Sequence, residues 1–308
     1  MNLRTVAAGI ALPNPLVLAS GTAGFGREVD SVIDLTEVGA LTTKAVSVEP
    51  RDGNPALRVT EFAGGMLNAV GLANPGMQVV RDDHLRWLDR KLGSRGLFVN
   101  VVGRSPEDFG AVIRHLDPGL RIDAFELNVS CPNVKAGGLE FGSDKDSLRE
   151  VVRCARAETT RVIFVKLSPT LGAGIVDMAA VALEAGASGV TLVNTMPGMV
   201  IDTGRRMPRL SFGSGGVSGP ALLPIGLLAT WRVHQALPDV PIIGVGGIST
   251  GDDAIQYMLA GASLVGVGTA ALRDPRAPRR IIAGMREWCM REGVGDITTI
   301  VGGLRWPA

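Results

Sequence analysis

The stretch Phe125-Glu-Leu-Asn128-Val-Ser-Cys131-Pro-Asn133-Val-Lys135 places an amide, a thiol and a second amide just past the end of an apolar run. A thiol inside a core is a small, inert hydrophobe, whereas one on a loop beside Ser130, Asn133 and Lys135 can be solvated and can give up or accept a proton. A catalytic reading of Cys131 is therefore open. By residue type alone it is equally a packing thiol, and the rest of the chain has to decide.

Such chemistry needs a scaffold to aim it. Apolar runs of strand length recur at 16–18, 40–43, 97–101, 124–127, 162–165, 189–193, 241–245 and 264–267, eight in all. Hydrophobicity within them is continuous, as in parallel strands buried on both faces, and the segments between carry a helical period, as in Ile175-Val-Asp-Met-Ala-Ala-Val-Ala-Leu-Glu-Ala-Gly186. Eight such repeats predict an α/β fold, a (β/α)8 TIM barrel. A doubly wound sheet is the competing arrangement, because alternation alone does not distinguish the two. Connections near 46–78, 129–145 and 194–218 are too long for turns and each follows a strand, so they are expected at the C-terminal mouth as a small accessory subregion of walls and lids. A single barrel domain spanning 1–308 accounts for the length, since such barrels commonly take about 250 residues.

The strand ends deliver a consistent set of groups. They are Ala19-Ser20-Gly21, Lys44, Asn100, Asn128, Lys166, Asn194-Thr195, Gly246-Gly247 and Gly268-Thr269. In a closed barrel these converge on one mouth, aiming two lysines and three asparagines at a common ligand. Glycines after the last two strands suit a phosphate held by bare backbone N–H groups. Taken singly, each glycine motif is as well explained by a tight turn.

Composition removes several function classes. With 46% hydrophobic and 20% charged residues and a formal net charge of +1, nothing draws the chain to nucleic acid or anionic lipid, and 4% aromatic residues offer few stacking platforms. The dispersed cysteines Cys131, Cys154 and Cys289 encode neither a disulfide framework nor an iron-sulfur or zinc site, which points to a reducing, cytoplasmic setting and to no metal. The apolar N-terminus is broken by Pro13, Asn14 and Pro15, and no run is long enough for a membrane span. No dinucleotide fingerprint or nucleotide-triphosphate loop occurs. His84, His115 and His234 fall on helical patterns away from the strand ends, as do Cys154 and Cys289, and read as packing or surface residues. The arginine-rich stretch 273–291 reads as a solvated helical face or a partner surface.

Assembled, these residues resemble the dihydroorotate dehydrogenase family over essentially the whole chain. The motifs are Asn14-Pro-Leu-Val-Leu-Ala-Ser-Gly-Thr-Ala-Gly-Phe-Gly26, Gly53-Asn-Pro55, Gly65-Met-Leu-Asn68-Ala-Val-Gly-Leu72 with Asn74-Pro-Gly76, Asn128-Val-Ser-Cys131-Pro-Asn133, Val165-Lys166-Leu-Ser-Pro169, Asn194-Thr195 and Gly244-Val-Gly-Gly-Ile248. Small departures are Ala73, where the family usually has glutamine, and Ala56-Leu57, where prolines are common.

The resemblance implies an FMN cofactor, its phosphate against Gly246, Gly247, Gly268 and Thr269 and the remainder along Ser20, Lys44, Ala45, Asn100, Asn128, Lys166, Val193 and Gly219. Dihydroorotate or orotate is implied over the flavin ring, held by Lys44, Asn68, Gly71, Leu72, Asn128, Asn194 and Thr195. Cys131 is implied as the base and marks the soluble class, and Lys166 as the group that stabilises charge developing on the flavin. The loop carrying Cys131 is expected to close over the ligand, with Gly137 and Gly138 as hinges. The run Asn133-Val-Lys135-Ala-Gly137-Gly138 to Phe141-Gly142 is similar to the NAD-linked type, implying a homodimer that joins a second subunit bearing FAD and an iron-sulfur cluster in a heterotetramer. The alternatives are a fumarate-linked homodimer with the same pocket, and a flavin-free, phosphate-binding barrel lyase or isomerase.

Overall fold

The structure is a computed structural model and describes residues 1–130 and 140–307. The chain opens with an antiparallel hairpin, β1 (Thr5–Ala7) and β2 (Ile10–Leu12). Asn14, buried between Pro13 and Pro15, then turns the backbone: its side-chain Oδ1 accepts from Leu16 N–H at 3.0 Å and its Nδ2 donates to the Glu37 carbonyl at 2.8 Å. Barrel strands β3 (Leu16–Leu18) and β4 (Ala40–Thr42) follow. A first excursion carries β5 (Val59–Phe62) and β6 (Gly65–Asn68). The barrel resumes with β7 (Gly96–Val101), β8 (Ala124–Asn128), β9 (Val162–Leu167) and β10 (Gly189–Leu192). A second excursion holds β11 (Met196–Gly198), β12 (Ile201–Asp202), β13 (Met207–Pro208) and β14 (Gly215–Ser218), before β15 (Ile242–Val245) and β16 (Leu264–Val267).

The eight parallel strands β3, β4, β7, β8, β9, β10, β15 and β16 form a closed barrel, the expected (β/α)8 architecture. The pairing that closes it puts Val265 opposite Leu16, and this excludes a doubly wound sheet, which has two free edges. Outward residues such as Phe125, Leu127 and Val165 belong to the large apolar cluster shared with the surrounding helices. Inward residues Val17, Ala40, Phe98, Ala124, Phe164, Ile243 and Leu264 make a separate cluster. Ala7 and Leu12 of the hairpin join this inner cluster, so the N-terminal end of the barrel is plugged, a use of the first twelve residues that the apolar pattern alone did not disclose.

Helix starts are fixed locally. Asp144 accepts from Ser147 N–H at 2.7 Å ahead of the helix Lys145–Arg156, and Thr250 with Asp253 forms a reciprocal capping box ahead of Gly251–Leu259. Each such cap contributes about 0.5–2 kcal/mol. Cys289 is buried in the helix Ala277–Arg291, whereas Cys154 is only partly buried in Lys145–Arg156. Among the described residues no helix is long and apolar enough to cross a membrane.

The first and third long connections meet over the C-terminal mouth as a four-stranded antiparallel sheet, β11-β14-β6-β5, with Asn68 opposite Gly216. This is the expected accessory subregion. The second connection contributes the turn Phe141–Ser143, and its residues 131–139 lie outside the described ones.

Candidate active site

The barrel interior changes character along its axis. Because alternate strand residues point inward, the apolar layer of Phe98, Ala124 and Phe164 is followed two residues on by Asn100, Glu126 and Lys166. Asn100, Glu126 and Thr191 are all buried. The Glu126 carboxylate accepts from Asn100 Nδ2 at 2.7 Å and from Thr191 Oγ1 at 2.8 Å, with Lys166 Nζ 3.9 Å away. Sequence reasoning passed over Glu126. The signal was present, since a carboxylate in the middle of a continuously apolar strand has no ordinary packing role.

Above this layer opens a cavity of about 920 Å³. Ser20, Lys44, Ala45, Asn68, Gly71, Leu72, Asn128, Lys166, Val193, Asn194, Thr195, Gly219, Gly246, Gly247, Gly268 and Thr269 all line it. Asn100 lies one layer deeper, fully buried, with its Oδ1 lacking a hydrogen-bond partner among the described residues. Cys131, with Asn133, Lys135, Gly137 and Gly138, lies outside the described residues.

Part of the cavity wall is dense in amides. Asn194 Nδ2 donates to Asn128 Oδ1 at 3.2 Å and to Ser130 Oγ at 3.0 Å, while its own oxygen accepts from Thr195 N–H at 2.8 Å. Strand ends of β8 and β10 are thus tied together as a ring of donors and acceptors. Asn68 enters from the accessory sheet, its amide donating to the Gly216 carbonyl at 3.2 Å. Leu72 adopts φ +57°, a conformation that costs a β-carbon residue about 1–2 kcal/mol. The neighbouring Gly71, at φ +75°, has no room for a side chain: a Cβ would stand 2.5 Å from Asn54 N. Backbone held in this way at a cavity wall is a feature of ligand clamps. Buried Asn74 supports the loop, donating to Ser47 Oγ and to the Leu72 carbonyl, each at 2.9 Å.

Another part of the wall is bare backbone. Gly246 and Gly247 have φ +131° and +77°, and a Cβ on Gly247 would lie 2.6 Å from Leu223 N, so only glycine leaves this concavity open. Thr269 Oγ1 donates to Ser218 Oγ at 2.8 Å beside it. Tyr257 holds the turn from behind, fully buried, its hydroxyl donating to the Gly246 carbonyl at 2.8 Å. Burial pushes that phenol well above its ordinary range, so it remains a donor. Tyr257→Phe is expected to cost about 1–3 kcal/mol in urea unfolding, because the carbonyl loses its partner; an unchanged midpoint would show that the bond is dispensable.

Bare glycine backbone, amides and lysines in one cavity wall, with an orphaned amide oxygen beneath, are features that suit a flavin mononucleotide, and the residues present fit that group.

At the mouth, burial pushes the Glu140 carboxyl above its ordinary value, with a hydrogen bond from Ser168 working against the shift. Folding therefore favours the protonated form, and the stability this contributes is whole below the unfolded-state value and lost as pH rises through the folded-state one. Glu140→Gln is expected to raise the unfolding temperature at about pH 8 and to leave it unchanged at about pH 2.5, well below the ordinary glutamate value, where Glu140 is protonated in both states. An equal effect at both pH values would contradict this reading. Rim residues Arg273 and Arg280 also reach the cavity and pair with Glu61 and Asp274, so the arginine-rich face is not wholly given to solvent. The three histidines lie on helices away from the cavity, His84 stacked on Phe25 with ring centroids 4.3 Å apart. Among the described residues no three metal-ligating side chains cluster.

The family model for dihydroorotate dehydrogenase matches residues 2–289. The chain is 42% identical over 303 residues, 98% of each protein, to the "Dihydroorotate dehydrogenase B (NAD(+)), catalytic subunit" of Geotalea uraniireducens (strain Rf4). It is likewise 42% identical to the proteins of the same name from Geobacter sulfurreducens, over 96% of each chain, and Alkaliphilus metalliredigens, over 99% of each. A match of this extent, on a barrel whose strand ends carry the motif residues to one cavity, has one meaning: the chain belongs to the dihydroorotate dehydrogenase family.

Proposed function

We propose that the chain is the catalytic subunit of an NAD-linked dihydroorotate dehydrogenase, a single FMN-binding barrel spanning 1–308 that oxidises (S)-dihydroorotate to orotate in pyrimidine biosynthesis. The observation that carries the reading is one cavity lined both by the glycine backbone of Gly246, Gly247 and Gly268 and by Lys44, Asn68, Asn128 and Asn194. Names of near full-length relatives agree with it.

Gly246, Gly247, Gly268 and Thr269 would hold the FMN phosphate, while Ser20, Ala45, Asn100, Val193 and Gly219 would hold the rest. Bound FMN supplies the acceptor for the hydride that leaves C6 of dihydroorotate. The amides of Asn68, Asn128 and Asn194, with Thr195, match the alternating donors and acceptors of a pyrimidine edge, and Lys44 offers the charge for its carboxylate. Gly71 and Leu72 wall the ring. Cys131 removes the proton from C5, and Lys166 places a fixed positive charge where negative charge develops.

Electrons then leave through a partner. We assign the chain to a cytoplasmic homodimer joined to a second subunit carrying FAD and an iron-sulfur cluster, which passes them to NAD. Co-expression with that subunit tests this: NAD reduction by dihydroorotate is expected in the complex and not with this chain alone, and fumarate reduction by the chain alone would favour the fumarate-linked reading. The simplest test of the whole proposal is an anaerobic visible spectrum. A yellow chain that bleaches on adding dihydroorotate supports it, and a colourless one that takes up no FMN refutes it.

A further inference from the structure

We propose that Glu126 is a positioning residue for Lys166: a carboxylate fixed inside the barrel holds the lysine ammonium at the floor of the cavity without occupying its hydrogen-bond donors. The role rests on the function proposed above, because an ammonium so placed matters only if negative charge develops over it.

Among the described residues, Glu126 at 3% exposed and Lys166 at 7% are the buried charged side chains, and they are opposite in sign. Lys166 lines the cavity, while Glu126 sits in the layer below it. Both carboxylate oxygens are committed, Oε1 to Asn100 and Oε2 to Thr191, so the side chain has no freedom to follow the lysine. Strand register makes this arrangement rigid: Asn100 lies directly opposite Glu126, and Thr191 directly opposite Lys166.

The separation is the telling quantity. At 3.9 Å the ammonium is beyond hydrogen-bonding distance of Oε1 yet close enough for strong attraction in a buried site. On the surface, Lys145 closes to 2.8 Å on Asp177 and commits a donor there. A barrel filler of neutral chemistry would pack equally well, and a buried carboxylate without a cation nearby is costly. Glu126 therefore acts on the reaction through Lys166 and touches no substrate itself.

The test is a double-substitution cycle with Glu126→Gln, which keeps the shape and removes the charge, and Lys166→Met. Alone, Glu126→Gln is expected to slow flavin reduction at saturating dihydroorotate about 10²-fold while KM stays within about threefold, and in the Lys166→Met background to change the rate less than about twofold. Wild-type reduction in Glu126→Gln, or equal slowing in both backgrounds, overturns the role. Thermal unfolding of the purified chains supplies a readout that needs no cofactor. The two substitutions together should lower the unfolding temperature by less than the sum of each alone, and strict additivity overturns the pairing. A wild-type chain that takes up no flavin sinks the proposed function and this role with it, and the unfolding cycle tells that case from failure of the pair. Should Glu126→Gln not fold, Thr191→Val leaves both charges and removes one anchor; slowing of about 3- to 10-fold is expected, and an unchanged rate overturns the role.

Discussion

Reduction of the bound flavin by dihydroorotate is expected to slow about 10²- to 10⁴-fold at neutral pH when Cys131 is replaced by serine. The substitution exchanges one small polar atom for another, so the orotate binding proposed for Lys44 and the asparagines should survive. What changes is basicity. An ordinary thiol ionises near pH 8.5 and reaches the thiolate form readily, whereas a hydroxyl without an activating base is a far poorer proton acceptor. Stopped-flow reduction under anaerobic conditions separates this step from reoxidation, and a rate within twofold of wild type would remove Cys131 from the mechanism. Slowing confined to low pH would instead mean that serine serves as the base once its own proton is more easily lost.

Lys166→Ala is expected to reduce the same rate about 10²- to 10³-fold, the usual consequence of deleting one preorganised donor at a site of developing charge. It should also destabilise the fold. Lys166 is buried 3.9 Å from Glu126, and removing one member of a buried pair typically costs about 3–5 kcal/mol because the other charge is left uncompensated. The two effects can be separated. Adding Glu126→Gln to Lys166→Ala should return much of the stability, measured by urea unfolding, and none of the rate. Recovery of both would show that Lys166 matters for packing alone.

Much of this architecture was legible beforehand because it is written locally. Apolar runs of three to five residues mark each parallel strand, and the observed limits differ from the expected ones by at most two residues, as at Asn128 and Leu167. The polar group at each strand end was equally visible, since a lysine or asparagine closing such a run has few reasons to be there. The N-terminal plug was not. Thr5–Ala7 and Ile10–Leu12 are too short to carry a period, and their burial depends on Phe98 and Phe164, far away in the chain. Asn68 was identified through its motif, yet its place over the cavity comes from an antiparallel pairing with β14, nearly 150 residues on.

From the linear order of residues alone came the family, the strand-helix repeat and the set of strand-end groups, because periodicity and motif spacing are properties of neighbours along the chain. Tertiary structure alone decided that β16 closes on β3, bringing the Gly268 turn to the same mouth as Ser20, and that Glu126 and Lys166 share one interior. The reason is that closure and side-chain separation depend on strand tilt and register summed around the whole barrel, a quantity no local window contains.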